Sequence, residues 1–381
     1  MAAHAAAIGP QNRSDLGTTD PQDCLRDKVV LITGATGSVG QRVLRRLLEL
    51  EPTVVRVYSR DESKQFELRE SVGGDSRLRW LIGDVRDRER LARAMEDVDI
   101  VFHAAALKHV ESCEYNPFEA VRTNVMGTQN VVDAALDANV ERVIMTSSDK
   151  AVNPCSTMGA SKLMAEKLMT AANFCKGRHR TVFASVRFGN VLGSRGSAPL
   201  LFREQVADGG PVTVTDPEMT RFIMSFDDCI DLVFRATALA RGGEVFVLCM
   251  SAVRLGDLVE VMIEELAPQW GHLRSDIQRV VIGAKVGEKP YEELMTPDEV
   301  SRALELPDMF AVLPRFREIR QFDYSYPQSR PASLEGGYDS HRAPLLTRDQ
   351  IKTVLAQEGL LSRDGGELKP WMSCSRAARD S

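Results

Sequence analysis

The chain has 381 residues, of which 43% are hydrophobic and 27% are charged, and its formal net charge is -6. This composition is typical of a soluble globular protein with one large domain or two closely packed ones. The acidic balance argues against nucleic acid as a partner, because nucleic-acid binders usually present a basic face. No apolar run approaches the ~20 residues that span a bilayer, so we expect no membrane partner.

The seven cysteines are scattered along the chain, and no two of them form a CxxC pair. This pattern argues against a zinc site and against a disulfide framework, and it is typical of a reducing compartment. The amino-terminal residues lack the basic stretch and apolar core of a secretory signal. These features predict a cytoplasmic protein without a bound metal.

From Lys28 onward, apolar runs of strand length alternate with stretches of helical periodicity. The predicted strands are KVVLIT, VVRVYS, RWLIGDV, DIVFHAAA, ERVIMTSS and TVFASVRFGN. Helices are predicted after the glycine-rich turn, from Glu62, from Arg88, over about 118–139 and over 158–172. Apolar strands in such an alternation favour a parallel sheet covered on both faces. The predicted fold class is therefore α/β, with a doubly wound sheet of the Rossmann type.

The pattern also predicts how the chain is divided. Residues 27–190 are expected to form the cofactor-binding Rossmann domain, which a late strand at about 244–249 joins. Residues 191–361, where the alternation loosens, are expected to form mainly a smaller substrate-binding lobe. The polar segments 1–26 and 362–381 are predicted to be flexible tails.

A glycine-rich turn, GATGSVG at 34–40, directly follows the first predicted strand and opens a helix. Glycine allows the backbone to approach a pyrophosphate closely, and the helix N-terminus offers unpaired N–H groups. In this context the motif predicts a dinucleotide site. Its expected cofactor contacts are Gly34, Thr36, Gly37, Ser38, Val39 and Gly40.

The end of the second strand bears on the choice between NAD and NADP. Ser59, Arg60 and Lys64 favour NADP, because hydroxyl and cationic groups suit a 2′-phosphate. Asp61 and Glu62 argue the other way, since an acidic residue here binds the ribose 2′-OH in NAD sites. Further cofactor contacts are expected where later strands end, at Asp84, Val85, Ala104 and Ala105.

Several segments together resemble the extended short-chain dehydrogenases, namely GATGSVG, HAAALKHV, NPFEAVRTNVMGTQNV and TSSDKAVNP followed by MGASK. Later segments are similar to those of the UDP-N-acetylglucosamine 4,6-dehydratases of bacterial glycan biosynthesis: RFGNVLGSRGS, PVTVTDPEMTRF, GGEVFVL and VGEKPYEEL. SRDESKQFE resembles the soluble, inverting members of that family. The resemblance covers roughly residues 28–360 and implies an NADP-dependent homo-oligomer that acts on a UDP-sugar.

The resemblance implies a reaction without net oxidation. A hydride leaves sugar C4 for NADP+, the C5 proton is removed, water leaves from C6, and the hydride returns to C6. By resemblance Asp149 is the general acid at C6 and Lys150 the base at C5, with Ser148 beside them. A lysine suits this role when its pKa is lowered, and a carboxylic acid when its pKa is raised.

One position departs from the family pattern. In short-chain dehydrogenases the lysine at Lys162 binds the nicotinamide ribose and assists a catalytic Tyr, but the Tyr position here is Met158. A thioether cannot take a proton from the C4 hydroxyl. Either Ser148, Thr146, Asp149 or a water takes that proton, or the protein binds nucleotide sugar without converting it. The departure also leaves the C5 configuration of the product open, because retaining relatives carry Met at this position.

Cationic and hydrogen-bonding residues in the later motifs are predicted to bind the nucleotide sugar. The candidates are Lys108, Asn190, Arg195, Thr215, Arg221, Lys285 and Glu288. His109 is interpreted as a helix cap, since a lone histidine is more often structural than catalytic. The leading hypothesis is conversion of UDP-N-acetylglucosamine to a 4-keto-6-deoxy sugar. The alternatives are epimerisation, loss of water across C5–C6, or a catalytically silent binding protein.

Overall fold

The computed structural model describes residues 20–316 and 322–363 and has a ten-stranded sheet at its centre. The described strands are β1 (Val29–Thr33), β2 (Val54–Ser59), β3 (Leu78–Ile82), β4 (Ile100–His103), β5 (Arg142–Ser148), β6 (Val182–Phe188), β7 (Asn190–Val191), β8 (Val212–Val214), β9 (Thr220–Met224), β10 (Val245–Leu248), β11 (Ala252–Arg254), β12 (Arg279–Val281), β13 (Glu293–Met295), β14 (Ala303–Glu305), β15 (Met309–Val312), β16 (Arg330–Pro331) and β17 (Tyr338–Asp339).

Helices cover both faces of this sheet and build the smaller lobe. The described α-helices are α1 (Pro21–Leu25), α2 (Ser38–Leu48), α3 (Glu62–Val72), α4 (Arg88–Met95), α5 (Val110–Tyr115), α6 (Pro117–Ala120), α7 (Gly127–Asp137), α8 (Thr157–Cys175), α9 (Ala198–Ala207), α10 (Phe226–Leu239), α11 (Leu255–Leu266), α12 (Pro297–Val300) and α13 (Arg348–Gln357). A π-helical segment, Val121–Met126, joins α6 to α7, and a short 3₁₀ turn, Asp149–Ala151, follows β5.

The strands of the large sheet lie in the order β16-β14-β15-β10-β6-β5-β4-β1-β2-β3. All neighbours from β3 to β10 pair in parallel, whereas β15, β14 and β16 extend the sheet with antiparallel pairs. From β1 the successive strands β2 and β3 lie to one side, whereas β4, β5 and β6 lie to the other, so the strand order reverses between β1 and β4. In such sheets ligands bind at this point, beyond the carboxyl ends of the strands. The predicted doubly wound fold is confirmed.

Adjacent residues of β1 show why the fold needs helices on both faces. Val30 and Ile32 are buried in a core that includes residues of α2 and α10. Leu31 points the other way, into a core with residues of α4, α7 and α8. Because successive side chains of a strand face opposite sides, a strand buried on both faces is apolar throughout.

The smaller lobe has its own core beside the sheet. The strands β7, β9 and β11 form a three-stranded sheet, and β8 pairs with β12. Apolar residues of α9, α11 and α13 pack together there, among them Phe202, Met262 and Leu355. Loops of this lobe reach the carboxyl ends of the parallel strands, where Arg195 contacts Thr36.

The structure differs from the predicted division of the chain in two places. Residues 20–26 are not a loose tail, because they form α1, which Asp20 caps and whose Leu25 is fully buried in the large core. Within 191–361, β10 lies in the large sheet as expected for the late strand, but β14, β15 and β16 also belong to this sheet and α10 packs on it. Residues 1–19, 317–321 and 364–381, with most of both predicted tails, lie outside the described residues. Among the described helices, none is long and apolar enough to cross a membrane.

Candidate active site

The glycine-rich turn connects β1 to α2 at the point where the strand order reverses. Gly34 has a φ of +67°, and a Cβ built on it would lie 2.6 Å from the backbone nitrogen of Ala105, so only glycine fits this close approach. Gly37 is the N-cap of the eleven-residue helix α2, and in the described structure no side chain caps it. The first turn of α2 can therefore bind an anion through its N–H groups.

The end of β2 brings together the residues that were predicted to select NADP. Thr36 Oγ1 donates a hydrogen bond of 3.3 Å to Ser59 Oγ, and both side chains are buried. Arg60 is exposed, with Nη1 3.9 Å from Asp84 Oδ2. Asp61 caps α3 by accepting a hydrogen bond from the backbone of Lys64, and its Oδ2 lies 2.8 Å from Lys64 Nζ.

The residues that follow β3 and β4 lie, like the glycine-rich turn, at the carboxyl ends of the parallel strands. Asp84 is held by Arg86, whose Nη2 donates a hydrogen bond of 2.7 Å to Asp84 Oδ2. Burial raises the pKa of Asp84, but the hydrogen bonds from Arg86 outweigh it and leave the pKa below its usual value. Val85 is buried beneath this turn, and Ala105 packs against Gly34. Ala104 follows β4, and its backbone N–H donates to Thr33 O.

Ser148, Asp149 and Lys150 form one hydrogen-bonded group at the carboxyl end of β5. Ser148 Oγ donates to Asp149 Oδ1 at 2.6 Å, and Lys150 Nζ donates to the two Asp149 oxygens at 3.2 and 3.0 Å. Asp149 is buried, whereas Lys150 is partly exposed. A buried carboxylate and an ammonium group thus adjoin the region where the nicotinamide half of a dinucleotide lies in such folds.

The pKa of Lys150 contradicts the expectation that it is lowered. Burial by itself lowers this pKa, but the carboxylates of Asp149 and Glu292 outweigh burial and raise it. An ammonium between two carboxylates is favoured in its charged form. Lys150 is therefore protonated in the resting site, and it has to lose a proton before it can act as a base.

Lys162 and Met158 lie on the first turns of α8. Lys162 Nζ donates a hydrogen bond of 2.7 Å to Thr146 O, and burial lowers the pKa of Lys162 to about 8. Met158 is buried in a small apolar cluster with Cys113 and Ala120. The side chain at the Tyr position is thus a packing residue.

Four of the predicted substrate-binding residues form a second polar group on the smaller lobe. Arg221 Nη2 lies 2.8 Å from Glu288 Oε1, and Thr215 Oγ1 donates to the same oxygen at 3.4 Å. The backbone N–H of Lys285 donates to Glu288 Oε2 at 3.0 Å, and the Lys285 side chain is exposed. The Arg221 side chain, by contrast, is only 13% exposed and is paired with Glu288.

Another predicted substrate-binding residue, Arg195, contacts the glycine-rich turn, and Lys108 in turn contacts Arg195. Arg195 Nη2 donates to Thr36 O at 3.0 Å, and the Arg195 backbone N–H donates to Ser38 Oγ at 3.3 Å. Lys108 Nζ donates to Arg195 O at 2.7 Å. The loop that carries Arg195 therefore covers the predicted cofactor position, and sequence reasoning had assigned it to the substrate alone.

Glu292 is a member of the site that the sequence analysis missed. Its carboxylate accepts hydrogen bonds of 2.8 and 2.9 Å from Asn190 Nδ2 and of 2.9 Å from the backbone N–H of Phe222. Its Oε1 lies 3.9 Å from Lys150 Nζ and 3.6 Å from Arg221 Nε. Glu292 thus joins the Asp149–Lys150 pair to the group around Glu288. The only available signal was its place in the segment VGEKPYEEL.

The histidines near the site have structural positions. His103 Nδ1 lies 2.7 Å from Thr33 Oγ1 and Nε2 lies 3.1 Å from Thr128 Oγ1. Burial and, to a smaller extent, Lys162 lower the pKa of His103 to about 3, so the ring is neutral. His109 occupies the N-cap position of α5, but its side chain makes no capping hydrogen bond. Within the described residues no cluster of His, Cys, Asp and Glu side chains could hold a metal ion.

The fold and these motifs match a known family model over residues 30–314, that of the polysaccharide biosynthesis proteins. The chain belongs to this family. Among its relatives is the inverting UDP-N-acetylglucosamine 4,6-dehydratase of Campylobacter jejuni, which is 40% identical over 77% of this chain and 85% of its own length. The UDP-glucose 4-epimerase of Rickettsia felis is 38% identical over 86% of this chain and 95% of its own length.

Two solved structures are also similar to this chain. The crystal structure of Pen from Bacillus thuringiensis superposes with a TM-score of 0.81 at 44% identity and covers 87% of this chain and 98% of that one. The dTDP-glucose 4,6-dehydratase DesIV of Streptomyces venezuelae, with NAD and TYD bound, gives a TM-score of 0.60 at 25% identity, over 68% and 86% of the two chains. The resemblance to the extended short-chain dehydrogenases is confirmed. The chain is thus a member of a nucleotide-sugar dehydratase and epimerase family.

Proposed function

We propose that the protein is an NADP-dependent nucleotide-sugar 4,6-dehydratase that converts UDP-N-acetylglucosamine to a UDP-4-keto-6-deoxy sugar. The observation that carries this proposal is the contact between Asp149 and Lys150 at the end of β5. Dehydration needs an acid for the C6 hydroxyl and a base for the C5 proton, whereas epimerisation at C4 needs neither. A buried carboxylate beside an ammonium supplies both groups.

The residues around the glycine-rich turn fit a dinucleotide. The close approach of Gly34 to Ala105 and the uncapped start of α2 leave room and N–H donors for a pyrophosphate. A nicotinamide bound here would supply the oxidant for C4 and return the same hydride to C6. Lys162 would hold the nicotinamide ribose, and Arg195, which lies across the turn, would keep the dinucleotide in place.

Three features favour NADP over NAD. Ser59 and Arg60 lie at the end of β2, where a 2′-phosphate would be placed. Asp61, one of the two acidic residues that argued for NAD, caps α3 and pairs with Lys64. Arg60 retains an exposed guanidinium that suits a phosphate.

The proton transfers are assigned to the group at the end of β5. Ser148 donates to Asp149, so it can pass the O4 proton to this carboxylate in place of the missing Tyr. Asp149 would then be the protonated acid that the C6 hydroxyl needs when it leaves as water. Lys150 would remove the C5 proton, and the face from which that proton returns sets the C5 configuration.

The nucleotide portion is assigned to the smaller lobe. Arg221 and Lys285 carry the positive charge that a diphosphate requires, and Glu288 can accept hydrogen bonds from a ribose. Asn190 and Thr215 complete the polar lining on this side. The homo-oligomer that the resemblance implies and the cytoplasmic location that the sequence predicts also belong to the proposal. Light scattering of the purified protein measures the oligomeric state.

Mass spectrometry of UDP-N-acetylglucosamine after incubation with the purified protein tests the proposal. A dehydratase yields a nucleotide sugar whose mass is lower by one water, and an NMR signal from a C6 methyl group separates it from a C5–C6 alkene. An epimerase yields a product of unchanged mass with a different C4 configuration. Unchanged substrate, with cofactor bound, supports a silent binding protein.

A further inference from the structure

Glu292 is fixed so that its carboxylate faces Lys150. Its side chain is only 7% exposed, and hydrogen bonds from Asn190 Nδ2 and the Phe222 backbone hold both oxygens. The Glu292 backbone N–H is in turn bonded to Ser340 Oγ at 2.9 Å. Two cationic groups also lie near Oε1, Arg221 Nε at 3.6 Å and the ammonium of Lys150 at 3.9 Å. Distances of this kind in ligand-free sites commonly shorten when substrate binds.

The number of protons in the site explains why a third ionisable group is needed. At rest Asp149, Lys150 and Glu292 share one proton, which Lys150 holds between the two carboxylates. If a bound nicotinamide oxidised C4, the O4 proton would enter this group, which would then hold two protons. Elimination needs Asp149 protonated and Lys150 unprotonated. If Asp149 and Lys150 were the only two groups, each would carry one of the two protons, and neither could act as a base.

We propose that Glu292 takes the proton from Lys150 and so turns this lysine into the base that attacks C5. The inference rests on the proposed dehydratase function and deepens it. One N–H bond of Lys150 breaks, and an O–H bond forms on Glu292. The C5–H bond then breaks, its proton binds Lys150 Nζ, and its electron pair forms the C5–C6 double bond as Asp149 protonates the departing hydroxyl. When C5 regains a proton and Glu292 returns its own to Lys150, the three groups again hold one proton.

The charges around Glu292 suit this role. Burial, followed by the Asp149 carboxylate, raises the pKa of Glu292 to about 7, while Lys150 and Arg221 act in the opposite direction. A carboxyl group with this pKa can accept and release a proton at neutral pH. Protonation of Asp149 removes the nearer of the two negative charges that hold the proton on Lys150 and so lowers the pKa of Lys150, while it also removes one of the charges that raise the pKa of Glu292. Glu292 acts through Lys150 and is therefore a positioning residue.

The substitution Glu292→Gln tests the inference, because it preserves the side-chain volume and one acceptor oxygen but cannot take the proton. The variant and the wild type are incubated with UDP-N-acetylglucosamine in deuterated water. The absorbance of the bound reduced nicotinamide reports C4 oxidation, and NMR reports deuterium at C5. We expect reduced nicotinamide to accumulate in the variant while exchange at C5 slows about 100-fold or more.

Glu293→Gln is the matched control. Glu293 is the next residue, and it pairs with Lys289 at 2.8 Å and with Asn153 Nδ2 at 2.8 Å. Removing its charge should leave both C4 oxidation and C5 exchange at wild-type rates. Glu292→Asp, which keeps a carboxylate but shortens the side chain, should recover part of the exchange that Glu292→Gln loses.

The pH dependence separates this role from a structural one. In the wild type, exchange at C5 should rise with pH through about 7 as Glu292 ionises and becomes able to accept a proton. In Glu292→Gln this rise should disappear, and exchange should recover only at alkaline pH, where solvent hydroxide deprotonates Lys150. A variant with wild-type exchange, or one that alkaline pH does not restore, overturns the inference. If Glu292→Gln also loses reduction of the nicotinamide, the inference is overturned too. If the wild type itself never reduces its nicotinamide, both the inference and the proposed function are overturned.

Discussion

The Lys150 ammonium donates hydrogen bonds to both carboxylate oxygens of Asp149, at 3.2 and 3.0 Å, although the two residues are adjacent in the chain. The 3₁₀ turn Asp149–Ala151 makes this possible, because it bends the chain sharply after β5. The two side chains with opposite proton-transfer roles are therefore held in one place by local backbone geometry. Separate substitutions should distinguish their roles.

Lys150→Met should stop exchange of the C5 hydrogen, because the base is gone, and should reduce product formation about 100-fold or more. Asp149→Asn should instead slow C4 oxidation, because Asp149 accepts the O4 proton, and sugar that does exchange at C5 should retain its C6 hydroxyl, since no acid assists its departure. NMR in deuterated water measures both properties in one sample. Lys167→Met, at an exposed position on α8, is the control and should behave as the wild type. Equal effects of the two active-site substitutions on every step would contradict the division of roles.

Met158→Leu should leave catalysis nearly unchanged. Met158 is buried among Cys113, Ala120 and other apolar residues, and a leucine of similar volume costs less than about 1.5 kcal/mol of stability. Product formation and the thermal midpoint should both remain close to those of the wild type. If product formation falls by orders of magnitude in a variant that folds normally, the thioether has a role beyond packing.

Arg60→Ala should reduce the preference for NADP. Loss of a charge-assisted hydrogen bond to the 2′-phosphate should weaken NADP binding about 10- to 100-fold and leave NAD binding unchanged. Calorimetric titration of cofactor-free protein with each dinucleotide measures the ratio. Arg69→Ala, an exposed cation on α3, is the control. An unchanged ratio in Arg60→Ala would assign the 2′-phosphate to other residues.

Arg187 forms a buried ion triad beneath the site and should be important for stability. Its guanidinium lies 2.6 Å from Glu166 and 3.0 Å from Glu299, and it is 1% exposed. Arg187→Ala removes the guanidinium from the buried Glu166 and leaves Glu299 with Arg302 at 3.8 Å as its cationic partner, so it should cost about 3–5 kcal/mol in the free energy of unfolding. Denaturant titration measures this loss.

The matching control for the triad removes all its charges together. Arg187→Met combined with Glu166→Gln and Glu299→Gln should be less destabilising than Arg187→Ala alone, because no charge is left unpaired. Arg330→Ala, which breaks an exposed pair with Glu305, should leave the unfolding midpoint unchanged. If the triple variant is the least stable of the three, the hydrogen bonds and packing of the triad contribute more to the free energy of unfolding than the pairing of its charges does.

The sequence predicted the parallel part of the fold because β1 to β6 are apolar on both faces and alternate with helices. It did not predict that β14, β15 and β16 join the same sheet, because strands of two to four residues carry too little periodicity. The helix α1 was missed for a related reason. Its five residues contain a single fully buried side chain, Leu25, and tertiary packing on α10 stabilises it.

The site was predicted where its residues are close in sequence. Asp149 and Lys150 are adjacent, and the glycine-rich turn is continuous, so the motif and the site coincide. Glu292 was missed because it reaches Lys150 only through the fold of the smaller lobe. The raised pKa of Lys150 was missed for the same reason, since it depends on Glu292 as well as on Asp149.

The most direct test of the account is proton NMR of UDP-N-acetylglucosamine incubated with the purified, cofactor-loaded protein in deuterated water. The account predicts a new C6 methyl signal and deuterium at C5, and the C5 configuration of the product follows from the same spectrum. An unchanged sugar, with the dinucleotide shown to be bound, would contradict the assignment of Asp149 and Lys150 as the acid and base for this substrate.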